Sequence, residues 1–163
     1  MSFSNWNRKL HRWGSIITLL PVGVILVTGV VLQLKKKLDW VQPPTVKGSS
    51  KELAIEFEEI LSIAQAVPEA AISSWADIDR LDVRPAKGML KVRAKNRWEI
   101  QIDTSSGKIL QVALRRSDLI ERLHDGSFFS SYAKLWVFLP SALILLFLWL
   151  TGFYLFLMPN TLK

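Results

Sequence analysis

The chain has 163 residues, half of them hydrophobic, with seven Trp, a net charge of +7 and a mean hydropathy of +0.23. That composition is too apolar for an ordinary soluble domain of this size. The absence of Cys excludes disulfides, thiolate metal ligands, a Cys nucleophile and thioether-linked haem.

The position of the charge is informative. Residues 41–125 hold 13 Lys/Arg and 13 Asp/Glu, which cancel. The excess sits on Arg8, Lys9, Arg12, Lys35, Lys36, Lys37, Lys134 and Lys163, opposed only by Asp39. These positions flank apolar runs, where bases meet anionic lipid headgroups. A nucleic-acid protein would gather its bases on the folded domain instead, so nucleic acid is not an expected partner.

In chain order, residues 1–12 read as a polar, basic tail. Residues 13–34 form an uncharged run of 22. At about 20 residues per hydrocarbon crossing, this predicts a first transmembrane helix, mildly kinked at Pro21. The competing reading is a cleaved signal peptide. The run is longer than such a core, and no A-x-A-like site follows it. Residues 35–49, with Pro43, Pro44 and Gly48, read as a short stiff linker.

Ser49 and Glu52 fit a capping box. Leu53, Phe57, Ile60, Leu61, Ala64 and Val67 recur at helical spacing up to Pro68. From about 78 the period becomes two. Leu81 and Val83, then Leu90, Val92 and Ala94, then Trp98, Ile100 and Ile102, then Leu110, Val112 and Leu114 predict four half-buried antiparallel strands. Their turns fall at Pro85–Gly88, Lys95–Asn96 and Ser105–Gly107. A helix followed by such strands makes residues 50–116 a small α+β module, with the helix on one face of the sheet.

Residues 117–134 suggest a short helix near the membrane surface. Residues 135–158 form a second uncharged run, 24 residues long, and predict the second span. Residues 159–163 are left as a C-terminal tail. The expected class is thus a membrane protein in which two transmembrane helices flank a small helix-plus-sheet domain. Both termini then lie on one side. The bases at Arg8–Arg12 favour the cytoplasm for the termini, and those at Lys35–Lys37, Arg115, Arg116, Arg122 and Lys134 favour the opposite. The intervening loop is too long for the positive-inside rule to decide.

Most polar motifs have plain readings. Ser105–Ser106–Gly107–Lys108 lacks the frame of a phosphate loop and reads as a strand turn. Asp77, Asp79 and Asp82 read as a solvated edge, and Glu56, Glu58 and Glu59 as an exposed helix face. No His-x-x-x-His pair offers zinc spacing. Neither apolar run contains Asp, Glu, Lys, Arg or His, which argues against a proton or ion path through this subunit alone.

Three stretches together resemble the PepSY-associated transmembrane family. They are Leu10–His11–Arg12–Trp13–Gly14 with Val27–Thr28–Gly29, the run from Ile100 to Leu110, and Leu123–His124–Asp125–Gly126 before Leu150–Thr151–Gly152–Phe153–Tyr154. The resemblance covers roughly residues 8–158. It implies the bacterial inner membrane, cytoplasmic termini and a periplasmic PepSY-like domain. Larger members look like haem-containing reductases of ferric siderophores. By resemblance, His11 and His124 match their axial haem ligands. This chain looks like half of such a protein, having two spans and one module.

His11 and His124 are the only histidines. Neutral imidazole can ligate haem iron, and a low-spin b-type haem takes one ligand on each face. The two residues lie at opposite ends of the membrane in a two-span topology. Residues 11 and 34 alone are about 35 Å apart along a helix, too far to share one iron. Each then pairs with its copy in a homodimer, or with a ligand from another subunit of a larger membrane complex. Stripes of His11, Ser15, Thr18, Ile25 and Gly29, and of Ser141, Leu145, Leu148 and Gly152, would admit a close helix or a flat macrocycle. Snorkelling imidazoles and ordinary helix packing explain the same pattern.

The expected function is membrane electron transfer by a haem-b protein or subunit, as in a haem-dependent ferric reductase, toward periplasmic acceptors such as ferric complexes. The alternative is a non-catalytic accessory or regulatory subunit that binds a periplasmic partner through its PepSY-like domain.

Overall fold

The computed structural model describes residues 3–157. It comprises two compact units, Leu34–Asp118 and the two ends of the chain, up to Gln33 and from Leu119 onward. Residues 1–2 of the expected tail, Met158 of the second apolar run and the tail 159–163 lie outside the described residues. Two apolar helices flank a small domain with a four-stranded antiparallel sheet.

The sheet is a meander in the order β1 (Ile78–Arg84), β2 (Met89–Ala94), β3 (Trp98–Asp103), β4 (Ile109–Leu114). All four strands fall where the alternation predicts them. One face carries Leu90, Val92, Ala94, Ile100 and Ile102, which pack with Ile60, Ala64 and Val67 into the core. Ile60 and Ala64 belong to the helix that covers this face, α2 (Phe57–Gln65).

That helix is shorter than the periodicity suggests. The expected capping box is not formed. Glu56 is the N-cap and offers no side-chain cap bond. Residues 51–56 are extended or irregular, because the backbone N–H groups of Ala54 and Ile55 donate to the Thr104 carbonyl. Ser49 donates its own N–H to Asp103 Oδ2 at 2.7 Å instead of opening the helix.

The second face of the sheet departs from the half-buried pattern. Lys91, Glu99 and Gln101 point away from the apolar core, yet none is more than 1% exposed. Lys91 Nζ donates to Glu99 Oε1 at 2.6 Å. Arg93 and Arg115 approach Glu99 Oε2 at 3.5 and 3.4 Å. Gln101 Nε2 bonds Glu99 Oε1 at 3.0 Å and Gln111 Oε1 at 2.9 Å. Burial pushes the Lys91 ammonium below its ordinary pKa, while Glu99 opposes the shift.

The segment read as a linker is what closes this face. Gln101 grips it by both ends of its amide: Nε2 donates to the Pro44 carbonyl at 2.8 Å, and Oε1 accepts from Val46 N–H at 2.9 Å. The Val41 carbonyl accepts from the N–H groups of Arg116 and Ser117. Val41 is fully buried. Gly48 and Gly88 pass so close that a Cβ on either would overlap backbone, of Gly88 or of Ser50. Residues 38–49 therefore form a strap across the sheet.

In the other unit, α1 (Phe3–Gln33) is 31 residues long, about 46 Å at 1.5 Å per residue. It starts well before the apolar run. No Gly or Pro interrupts residues 3–13, and Arg8, Lys9 and Leu10 are good helix formers. After α3 (Ser117–His124), Ser130 Oγ caps the second span by accepting from Ala133 N–H at 2.9 Å. One helical turn, Ser131–Ala133, leads into a wide π-type turn, Lys134–Phe138, and then α4 (Leu139–Leu157). Pro140 has no N–H to offer the carbonyl four residues back, and the widened turn lies just ahead of it.

Gly14 of α1 faces Ile144 and Leu148 of α4, and Thr18, Ser141 and Leu148 are buried. The hydroxyls of Thr18 and Ser141 donate to the Gly14 and Val137 carbonyls, so they enter this unit without unpaired polar atoms. Only 11% and 17% of the two apolar windows is buried. Helices that apolar, turning most of their surface outward, belong in lipid rather than in a soluble core.

Replacing Glu99 with Gln is expected to destabilise the Leu34–Asp118 unit by about 3–5 kcal/mol, because it strands Lys91 without its partner. Urea unfolding in detergent measures this. A Lys91→Met/Glu99→Leu double variant should lose much less than the sum of the single changes. Bonds from Ser49 and Ser105 hold the Asp103 carboxyl well below the usual range. A depressed folded-state pKa adds stability above the unfolded value, near 3.9, and that stability is lost as pH falls below it. The unfolding midpoint should therefore drop between about pH 5 and pH 2, and less steeply in Asp103→Asn.

Candidate functional site

His124 ends α3 and its ring turns onto α1. His124 Nδ1 lies 3.0 Å from Thr28 Oγ1. Thr28 Oγ1 also donates to the Val24 carbonyl at 2.5 Å, with the Ile25 carbonyl at 3.2 Å. The hydroxyl thus stands between its own helix and the Nδ1 side of the ring.

Gly29 lies against the ring: a Cβ there would sit 3.4 Å from His124 Cε1, in van der Waals contact. His124 borders two hollows. One, of about 580 Å³, is lined by Ile25, Leu26, Gly29, Val30 and Gln33 among others. The second, of about 250 Å³, reaches Lys134, Phe138 and Leu139.

The residues after His124 each have a separate role. Asp125 accepts Ser127 N–H at 2.9 Å and Lys134 Nζ at 2.6 Å, which ties α3 to the start of the second span. Burial works to raise its carboxyl pKa, but the bonds from Lys134 and Ser127 prevail and bring it down to about 2. Gly126 has φ +79°, and a Cβ on it would overlap the Phe138 ring. Phe138 in turn stacks on Phe129 with centroids 5.9 Å apart.

His11 lies elsewhere on α1. It precedes Gly14 and Thr18 on the stripe that meets α4. Its Nδ1 is buried and has no hydrogen-bond partner among the described residues. Its carbonyl accepts from Ser15 Oγ at 2.8 Å. Thr28, which holds His124, is 17 residues further along α1, about 26 Å away. The two imidazoles are not brought together.

The arrangement offers two isolated nitrogen ligands on apolar helices. Both small-residue stripes are used: Thr18, Ser141 and Leu148 in helix packing, and Gly29 under the His124 ring. Thr28 has the role that sequence reasoning missed. It was visible only as part of Val27–Thr28–Gly29, and a threonine in an apolar helix ordinarily does no more than bond its own backbone. Trp149 and Phe153, stacked at 6.0 Å, are exposed and face outward.

The family model for the PepSY-associated TM region matches residues 8–160. The chain belongs to that family. No curated protein and no solved structure gives a match.

Gly126→Ala should disturb the site without touching either histidine. We expect a clear loss of thermal stability in detergent. A Gly126→Ala/Phe138→Ala double variant should recover the steric part of that loss, leaving the cost of φ +79° and of the emptied Phe138 site.

Proposed function

We propose that this member of the PepSY-associated transmembrane family is a haem-b electron-transfer protein or subunit of the bacterial inner membrane. In this reading its termini are cytoplasmic, its Leu34–Asp118 unit is periplasmic, and His11 and His124 are the axial ligands. Electrons pass toward periplasmic acceptors such as ferric complexes.

The observation that carries this reading is the seat of the His124 ring against Thr28. A metal-ligating imidazole commonly donates its other N–H to an outer partner that orients the ring. Thr28 supplies such an acceptor, at 3.0 Å from Nδ1. The residues present fit a haem in two further respects. Gly29 leaves a close flat approach beside the ring, and His11 keeps an unpartnered buried nitrogen. Bound haem would supply one-electron transfer. Ile25, Leu26 and Val30 would keep water from the ligating nitrogen, and Thr28 would hold its direction. With about 26 Å between the ligands along α1, each needs a partner ligand from another polypeptide. A homodimer supplies both pairs at once.

The accessory reading rests on a different observation. Leu53, Phe57 and Trp75 of the sheet domain are 54%, 64% and 42% exposed, and the two rings lie 6.0 Å apart. An exposed aromatic patch of this kind suits a protein partner.

Visible spectra of detergent-purified protein, oxidised and reduced, decide between them. The haem reading expects a Soret band and reduced α-band in the parent. His124→Ala and His11→Ala should each remove haem, and Thr28→Val should weaken its retention by about 10–100-fold. Lack of any Soret band from haem-replete cells would rule it out. Intact complexes and unchanged spectra in both His variants would favour the accessory reading.

A further inference from the structure

A third hollow, in the Leu34–Asp118 unit, is built from basic side chains. It measures about 350 Å³ and is lined by Lys36, Gln42, Thr45, Arg84 and Lys87 together with Pro43 and Pro44. No carboxylate is among its lining residues. The strap supplies Gln42 and Thr45, the end of β1 supplies Arg84, and the β1–β2 turn supplies Lys87.

These segments are held in register rather than merely near one another. Gly48 N–H donates to the Lys87 carbonyl at 2.9 Å, and the Gly48–Gly88 crossing leaves no room for a Cβ. Arg84 is oriented by Asp82, which takes its Nε at 3.0 Å and Nη2 at 2.7 Å. The remaining arm, Nη1, has only a long contact of 3.4 Å to Thr45 Oγ1. Pro43 and Pro44 of the strap have no N–H to offer. Three cations line the pocket with no carboxylate among the lining residues, and Asp82 stands beside Arg84, which leaves the pocket cationic.

We propose that this pocket binds a phosphate group, presented by the headgroup of an anionic phospholipid. Lys36 is three residues along the chain from Gln33, the last residue of α1, a reach of at most about 11 Å. A basic pocket tethered that closely to a membrane span meets lipid phosphates at far higher local concentration than any soluble anion. Each Lys or Arg near such a surface strengthens the attraction. Arg84 offers its remaining arm, Nη1, to a phosphate oxygen, and the lysines act as point charges. The site does not depend on haem binding.

The test uses the full chain purified in dodecyl maltoside. Native mass spectrometry counts bound lipid after addition of phosphatidylglycerol or phosphatidylcholine, and inorganic phosphate serves as a competitor. The parent should retain phosphatidylglycerol over phosphatidylcholine. Lys36→Gln/Lys87→Gln should lower that retention at least about tenfold. Lys95→Gln/Lys108→Gln removes the same charge from exposed positions that do not line the pocket, and should retain the preference. Both variants should keep the parent's unfolding midpoint in phosphatidylcholine. Equal losses in the two double variants, or no headgroup preference in the parent, would overturn the proposal. Protection by inorganic phosphate with no preference for phosphatidylglycerol would overturn the lipid as source in favour of a soluble phosphate ester.

Discussion

Glu99 is the residue on which the extramembrane domain turns. One buried carboxylate stands among Lys91, Arg93 and Arg115, all under a tenth exposed. Removing four ionic groups from water is costly unless their partners are in place and water is kept out. The strap provides that exclusion. It is held by Gln101 on the sheet and by Arg116 and Ser117 beyond β4, so the polar face of the sheet becomes a second, ionic core. The domain is a three-layer arrangement of helix, sheet and strap.

The same strap has a further consequence. By crossing the sheet and locking against the β1–β2 turn at Gly48 and Gly88, it brings Thr45 beside Arg84 and Lys87. An interior device for burying charge thus creates a cationic recess at the domain's edge. The chain there leads directly back to the first apolar helix.

In the membrane unit, polarity is handled by direction rather than by burial. The hydroxyls of Ser15, Thr18, Thr28, Ser141 and Thr151 each return their hydrogen to a carbonyl of their own helix. At Thr28 this has a chemical result. Besides bonding the Val24 carbonyl, its oxygen meets His124 Nδ1 at 3.0 Å, so it addresses one nitrogen of the ring and not the other. A group that only satisfies its own helix elsewhere becomes an orienting group here. Asp125 and Gly126 then hold the ring's surroundings, one through Lys134 and the other by giving room to Phe138.

The amino-acid sequence alone determined the two apolar helices, the four strands and the class of the fold. Those features follow from periodicity and run length, which are properties of neighbouring residues. The alternation Lys91, Arg93 and Glu99, Gln101 looks the same whether that face meets water or a strap. Ser49 and Glu52 spell a helix cap, yet Asp103, 54 residues away, claims Ser49. Likewise Gln101 meets Pro44 across 57 residues and His124 meets Thr28 across 96. Only the tertiary structure decided which polar groups are buried and which imidazole nitrogen meets Thr28, because a buried polar atom is satisfied by whatever the fold brings beside it, however far off in the chain.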